Sequence, residues 1–100
     1  GWYQKSLGIS EKIGDKHLAA ITYKQLGIIT QGRHEFDAAE SLYRRSLAIF
    51  DKLGIEYHSV ITYHLLGILA GLRGRYEESG DWLTKAIVGF RRQQDAALEK

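Results

Sequence analysis

Apolar positions between residues 17 and 31 recur at steps of three and four. Ala19, Tyr23, Leu26 and Thr30 fall on one stripe, while Ile21, Ile28 and the stem of Lys24 or Gln25 fall on another. Residues 35–53 repeat the arrangement. Phe36, Ala39, Tyr43, Ser46 or Leu47, and Phe50 share one face, and Leu42, Ile49 and Leu53 share a second. A helix that is apolar on two faces has two neighbours to meet. Gly14, Gly54 and Gly74 fall between the periodic stretches, where glycine reaches positive φ at little cost. No proline interrupts any stretch. The spacing predicts an all-α chain of five helices, at 2–13, 16–31, 35–53, 56–72 and 75–93. The last runs on towards Leu98, because Gln94 stands where a glycine would stop it. Short links make consecutive helices antiparallel neighbours.

The pattern is also periodic at a longer range. Ile21-Thr22-Tyr23-Lys24-Gln25-Leu26-Gly27-Ile28 returns as Ile61-Thr62-Tyr63-His64-Leu65-Leu66-Gly67-Ile68. Aligning 14–53 with 54–93 gives nine identities, and Phe36, Leu47 and Phe50 meet Tyr76, Ile87 and Phe90. Tyr3, Ser6, Leu7, Ile9 and Lys12 align with Tyr43, Ser46, Leu47, Ile49 and Lys52, so residues 1–13 read as the second half of an earlier unit. With Gly1 in place of Met, this points to a piece of a longer array. A fixed period of this kind means stacked copies of one small unit rather than one globular core. The expected organisation is a half unit at 1–13, full units at 14–53 and 54–93, and an extension at 94–100. Gly27 and Gly67 lie inside predicted helices, where glycine costs about 1 kcal/mol relative to alanine. Close approach of the partner helix explains them, with Ala39 and Ser79 as the small residues expected opposite.

These residues closely resemble the tetratricopeptide repeat. That family sets a large residue and Leu-Gly in its first helix, and an aromatic, a small residue, a large residue and a small residue in its second. One copy here reads Tyr23, Leu26, Gly27, Phe36, Ala39, Tyr43 and Ser46; the other reads Tyr63, Leu66, Gly67, Tyr76, Ser79, Leu83 and Ala86. The forty-residue period is similar to an extended variant of the family. Two positions depart from its pattern. His34 stands where Gly74 stands in the second copy, so that loop is expected to be strained or differently turned. The terminal proline is absent, with Asp51 and Arg91 in its place.

The resemblance implies a right-handed α-α superhelix, a tetratricopeptide-repeat solenoid, whose first helices line a concave groove. Carried over by position, the groove residues are Lys24, Gln25, Ile28 and Gln31, then His64, Leu65, Ile68 and Gly71, with Ile21 and Ile61 on the same face. The periodicity agrees, because Ile21, Lys24, Ile28 and Gln31 turn away from Tyr23 and Leu26. Family members that clamp a C-terminal carboxylate use asparagines and paired basic residues in this groove. Isoleucines at 28 and 68, and Lys24 as the one basic residue there, argue against such a clamp. An apolar or amphipathic peptide fits better. The competing reading is that Ile21, Ile28, Ile61 and Ile68 only pack between adjacent first helices.

Composition narrows the remaining classes. Net charge is only +2, too little to argue for nucleic acid or an anionic membrane. Arg73/Arg75 and Arg91/Arg92 read as solvated surface. No apolar run approaches the ~18 residues that cross a bilayer. Cysteine is absent, which removes disulfides and thiolate metal sites and is compatible with the cytoplasm. His17, His34, His58 and His64 lack metal-ligand spacing, and no glycine-rich phosphate loop occurs, so neither a cofactor nor catalysis is expected. Asp81 and Lys85 are spaced as an i,i+4 pair. Trp82, Leu83, Ile87, Val88 and Phe90 leave the last helix with an uncovered far face. Trp2, Tyr3, Leu7, Ile9 and Ile13 do the same for the first. These faces are expected to meet other copies or other parts of the parent protein. The expected function is a noncatalytic scaffold that binds a protein or peptide partner. The alternative is a regulatory or oligomerisation segment of a larger signalling protein.

Overall fold

The structure is a computed structural model and describes residues 15–98. Among the described residues the chain forms four helices and no strand: α1 (Lys16–Gly32), α2 (Phe36–Leu53), α3 (Glu56–Leu72) and α4 (Tyr76–Leu98). These are four of the five predicted helices, and α4 does run to Leu98. The helix expected over 2–13, with Trp2, lies outside the described residues.

Local chemistry sets the ends. The Leu18 N–H donates to Asp15 Oδ1 at 3.1 Å, capping the start of α1. Asp37 in the first turn of α2 and Lys52 in its last both suit the helix dipole. Gly54 ends α2 at φ 71°. The α1–α2 and α3–α4 loops close in the same way. His34 and Gly74 sit at φ 63° and 75°, and the next N–H in each donates back five residues, Glu35 to Thr30 O and Arg75 to Ala70 O, both at 2.9 Å. The strain expected at His34 is therefore present, since a histidine holds a left-handed conformation that glycine adopts freely.

The helices pack in sequence, α1 on α2, α2 on α3, and α3 on α4. Contacts such as Ala20 with Ser46 and Gln31 with Tyr43 show that α1 and α2 run antiparallel. One buried cluster holds Ala39, Tyr43, Leu66 and Leu69, with Phe36, Leu47, Leu65 and Trp82 around it, so the core spans both helix pairs. The buried hydroxyl of Ser46 donates to Ala20 O at 2.7 Å, and the half-buried hydroxyl of Ser79 donates to Gly67 O at 2.7 Å. Each bond ties a second helix to the backbone of the first.

Gly27 and Gly67 do mark close approach, but the residues opposite differ from those expected. A Cβ on Gly27 would lie 2.5 Å from Tyr43 Cε1, and one on Gly67 would lie 2.7 Å from Leu83 Cδ2. In each pair the large residue of the second helix makes the nearest approach, while Ser79 reaches the Gly67 carbonyl and lies beside Gly71.

Arg73 is largely shielded rather than solvated, while Arg75 stays exposed as expected. Arg73 is bound to Asp37 and, at 3.0 Å, to Glu40 on α2, and Arg75 reaches Glu40 at 3.3 Å. Arg44 joins Glu40 at 3.0 Å and Glu78 at 3.4 Å. This network ties α2 to the α3–α4 loop. Arg92 pairs with Glu56 at 3.1 Å in a far more exposed setting. The expected Asp81–Lys85 pair does not form; Lys85 lies over the rings of Trp82 and Tyr63 instead.

Urea unfolding checks these assignments. Gly27→Ala and Gly67→Ala each lose about 1–3 kcal/mol through overpacking. Gly80→Ala gains about 1 kcal/mol, since nothing lies near its missing Cβ. His34→Gly gains up to about 1 kcal/mol by relieving its left-handed backbone. Arg73→Ala loses about 1 kcal/mol, because it removes the most shielded of Glu40's three arginine partners and leaves Arg44 and Arg75 in place; Arg92→Ala, on an exposed pair, loses under about 0.5 kcal/mol.

Candidate functional site

Gly71 aside, the nine residues singled out for partner binding divide between α1 and α3. Both helices pack on α2, and the start of α1 comes against the start of α3, where His17 and His58 lie 5.1 Å apart. On α1, Gln25 and Ile28 are exposed, and Ile21, Lys24 and Gln31 are half-buried. On α3, His64 and Ile68 are exposed, and Ile61 and Leu65 are half-buried. Ile28 keeps 48% of its surface and Ile68 39%, so neither is consumed by packing between the helices.

Two of the nine already have structural contacts. Leu65 packs against the core cluster. The Tyr43 hydroxyl donates to Gln31 Oε1 at 2.8 Å, which takes up an acceptor otherwise open to a ligand. Burial pushes Tyr43 up to about 12, so this phenol stays a neutral donor at ordinary pH.

Other chemistry was less visible in the sequence. A cleft of about 560 Å³ opens between the end of α2, the first half of α3 and the second half of α4. Phe50, Val60, Tyr63 and Val88 line it, with Asp51, Lys85 and Arg92 around them; none of the nine residues belongs to it. Beside it Tyr63 and Trp82 stack at 5.8 Å, with the Lys85 ammonium 5.0 Å and the Arg44 guanidinium 5.5 Å from the Trp82 ring centre. Arg45 sits over Tyr23 in the first pair as Lys85 sits over Tyr63 in the second, a recurrence that marks structural cation–π packing. Burial, then Asp51 and Glu56, raise the Tyr63 phenol, with Arg92 opposing. The forty-residue offset between Arg45 and Lys85 was the signal that could have found this pairing.

Among the described residues, no group of His, Asp and Glu is placed to hold a metal ion. None of the described helices is long and apolar enough to cross a membrane. The geometry is that of a surface with apolar stripes and isolated polar groups, which suits recognition of another chain.

Comparison with known proteins agrees with this architecture. A family model described as tetratricopeptide repeat matches residues 1–52 and again 20–92. No curated protein and no solved structure matches the chain significantly. That family is one of helical repeats that generally mediate protein–protein interactions without catalysis. The antiparallel helix pairs, the glycine-based packing and the model that spans them lead to one conclusion: this chain belongs to the tetratricopeptide repeat family.

Proposed function

We propose that the chain is a noncatalytic interaction module that takes an apolar or amphipathic peptide on the face shared by α1 and α3. The organisation proposed with it is a right-handed superhelix, with repeats at 14–53 and 54–93 and the second half of another at 1–13. Ile28 and Ile68 supply the apolar contact, supported by Ile21, Ile61 and Leu65. Lys24, Gln25, His64 and the remaining valence of Gln31 supply polar anchors. One observation carries this reading. Ile28 and Ile68 stand forty residues apart at equivalent positions, and both stay exposed. A residue needed only between the repeats would be covered there, and paired exposed isoleucines otherwise invite aggregation.

A second reading concerns α4. Its far face leaves Ile87 at 65% exposure, with Phe90 also exposed, whereas Trp82, Leu83 and Val88, expected on that face, turn to the core, to Gly67 and to the cleft. Leu47 and Phe50, the α2 counterparts of Ile87 and Phe90, are half-buried and buried. We propose that this face is covered by another copy or by further parts of the parent protein.

Peptide-display selection on the chain, counter-screened with Ile28→Glu/Ile68→Glu, tests the first reading. Apolar peptides should enrich on the wild type and lose at least about tenfold in affinity on the double variant, while helicity and the unfolding midpoint stay unchanged. Peptides that bind both proteins equally would remove the groove assignment. For the second, sedimentation should show association at high concentration that Ile87→Glu/Phe90→Glu abolishes. A wild-type monomer that binds no hydrophobic dye would count against it.

A further inference from the structure

Three rings meet where α1, α2 and α3 come together. Phe50 on α2 lies parallel to His58 on α3, with ring centres 4.7 Å apart and planes 14° from parallel. His17 on α1 closes edge-on over both, 5.1 Å from His58 and 6.0 Å from Phe50. Phe50 is buried, His58 half-buried and His17 exposed. The extensive helix interfaces run α1 to α2, α2 to α3 and α3 to α4. The stack is therefore a direct side-chain bridge between α1 and α3, the first helices of the two pairs.

The bridge suits a neutral imidazole. Nδ1 of His58 is shielded from solvent and has no hydrogen-bond partner. As an unpaired acceptor it costs something; as a charged N–H donor with nothing to accept its proton it would cost far more. The neighbours do not offset that charge. From α1 come His17 and the ammonium of Lys24, both of which oppose a second cation. From α2 come Phe50 and Asp51; the Asp51 carboxylate is turned to Ser59, whose Oγ donates to Oδ1 at 2.7 Å, and the charges that act on His58 are those of Lys24 and His17. From α3 itself, Tyr57 lies edge-on at 5.4 Å.

We propose that this stack is an acid-sensitive latch between the two helix pairs: a proton taken up by His58 opens the seam where α1 meets α3. Burial first, then Lys24 and His17, holds His58 below the ordinary histidine value of 6.5. The sign follows. An unfolded or opened chain binds the proton more readily than the closed one, so the stabilisation is complete above 6.5 and is lost as pH falls through the lower, closed-state value. Because α1 and α3 also carry the exposed isoleucines, opening the latch alters their spacing. The latch itself stands whether or not those residues bind a peptide, and its test uses no ligand.

The experiment is a proton NMR titration of the histidine rings in the intact chain, with urea unfolding and amide exchange from about pH 8 to about pH 5. His58→Phe keeps a ring on Phe50 and removes the titration. His17→Gln removes one of the two opposing groups. His58 should titrate below 6.5 and move upward in His17→Gln. The wild type should lose stability on acidification, and His58→Phe should lose most of that dependence. Acid should lower protection, taken relative to the intrinsic exchange rate at each pH, in α1 and the start of α3 before α4. His58 titrating at or above 6.5, or an unchanged pH slope in His58→Phe, would overturn the proposal. So would a loss of protection in acid that is equal along all four helices. If His58→Phe does not fold, the wild-type titration and its displacement in His17→Gln decide alone.

Discussion

Two side chains that press on bare backbone hold each helix pair at its spacing. Tyr43 lies against α1 where Gly27 has no Cβ, and Leu83 lies against α3 where Gly67 has none. Everything that couples the pairs builds on this approach. Tyr43, once seated, forms part of the cluster with Leu66 and Leu69 of the second pair. Its hydroxyl also reaches Gln31 on the face where a partner is proposed to bind. A single residue therefore links the packing within a pair, the packing between pairs and the chemistry of the exposed face.

Between the pairs, apolar burial and charge work at different ends. Near the α3–α4 loop, Arg73 and Arg75 gather Asp37 and Glu40 of α2. Near the α2–α3 loop, Phe50, His58 and His17 stack, and Ser59 holds Asp51. The first contact is ionic and changes with salt. The second rests on stacked rings and is the one proposed to change with acid. Repeat arrays draw their stability from such neighbour contacts, so local chemistry at a seam bears directly on the whole.

The candidate face was legible because it follows helical spacing. Ile21, Lys24, Ile28 and Gln31 fall on one side of α1 by periodicity alone, and the forty-residue repeat carries that side to α3. Which of them remain free was not legible. Gln31 is engaged by a tyrosine twelve residues away, and Leu65 turns into the core, because each meets a helix whose position no local pattern specifies. The histidine stack was missed for the same reason. His17 and His58 lie forty-one residues apart and break the repeat register by one, so no alignment of the copies pairs them.

Periodicity, glycine placement and the internal repeat determined four helices, their near boundaries and their pairing, since these depend on interactions along the chain and across short loops. Tertiary structure alone decided what each glycine faces, where Arg73 and Lys85 find partners, and which rings meet at the seam. Those outcomes depend on the distances between helix axes. Side-chain volumes from both pairs set these distances together, and no stretch of residues contains them.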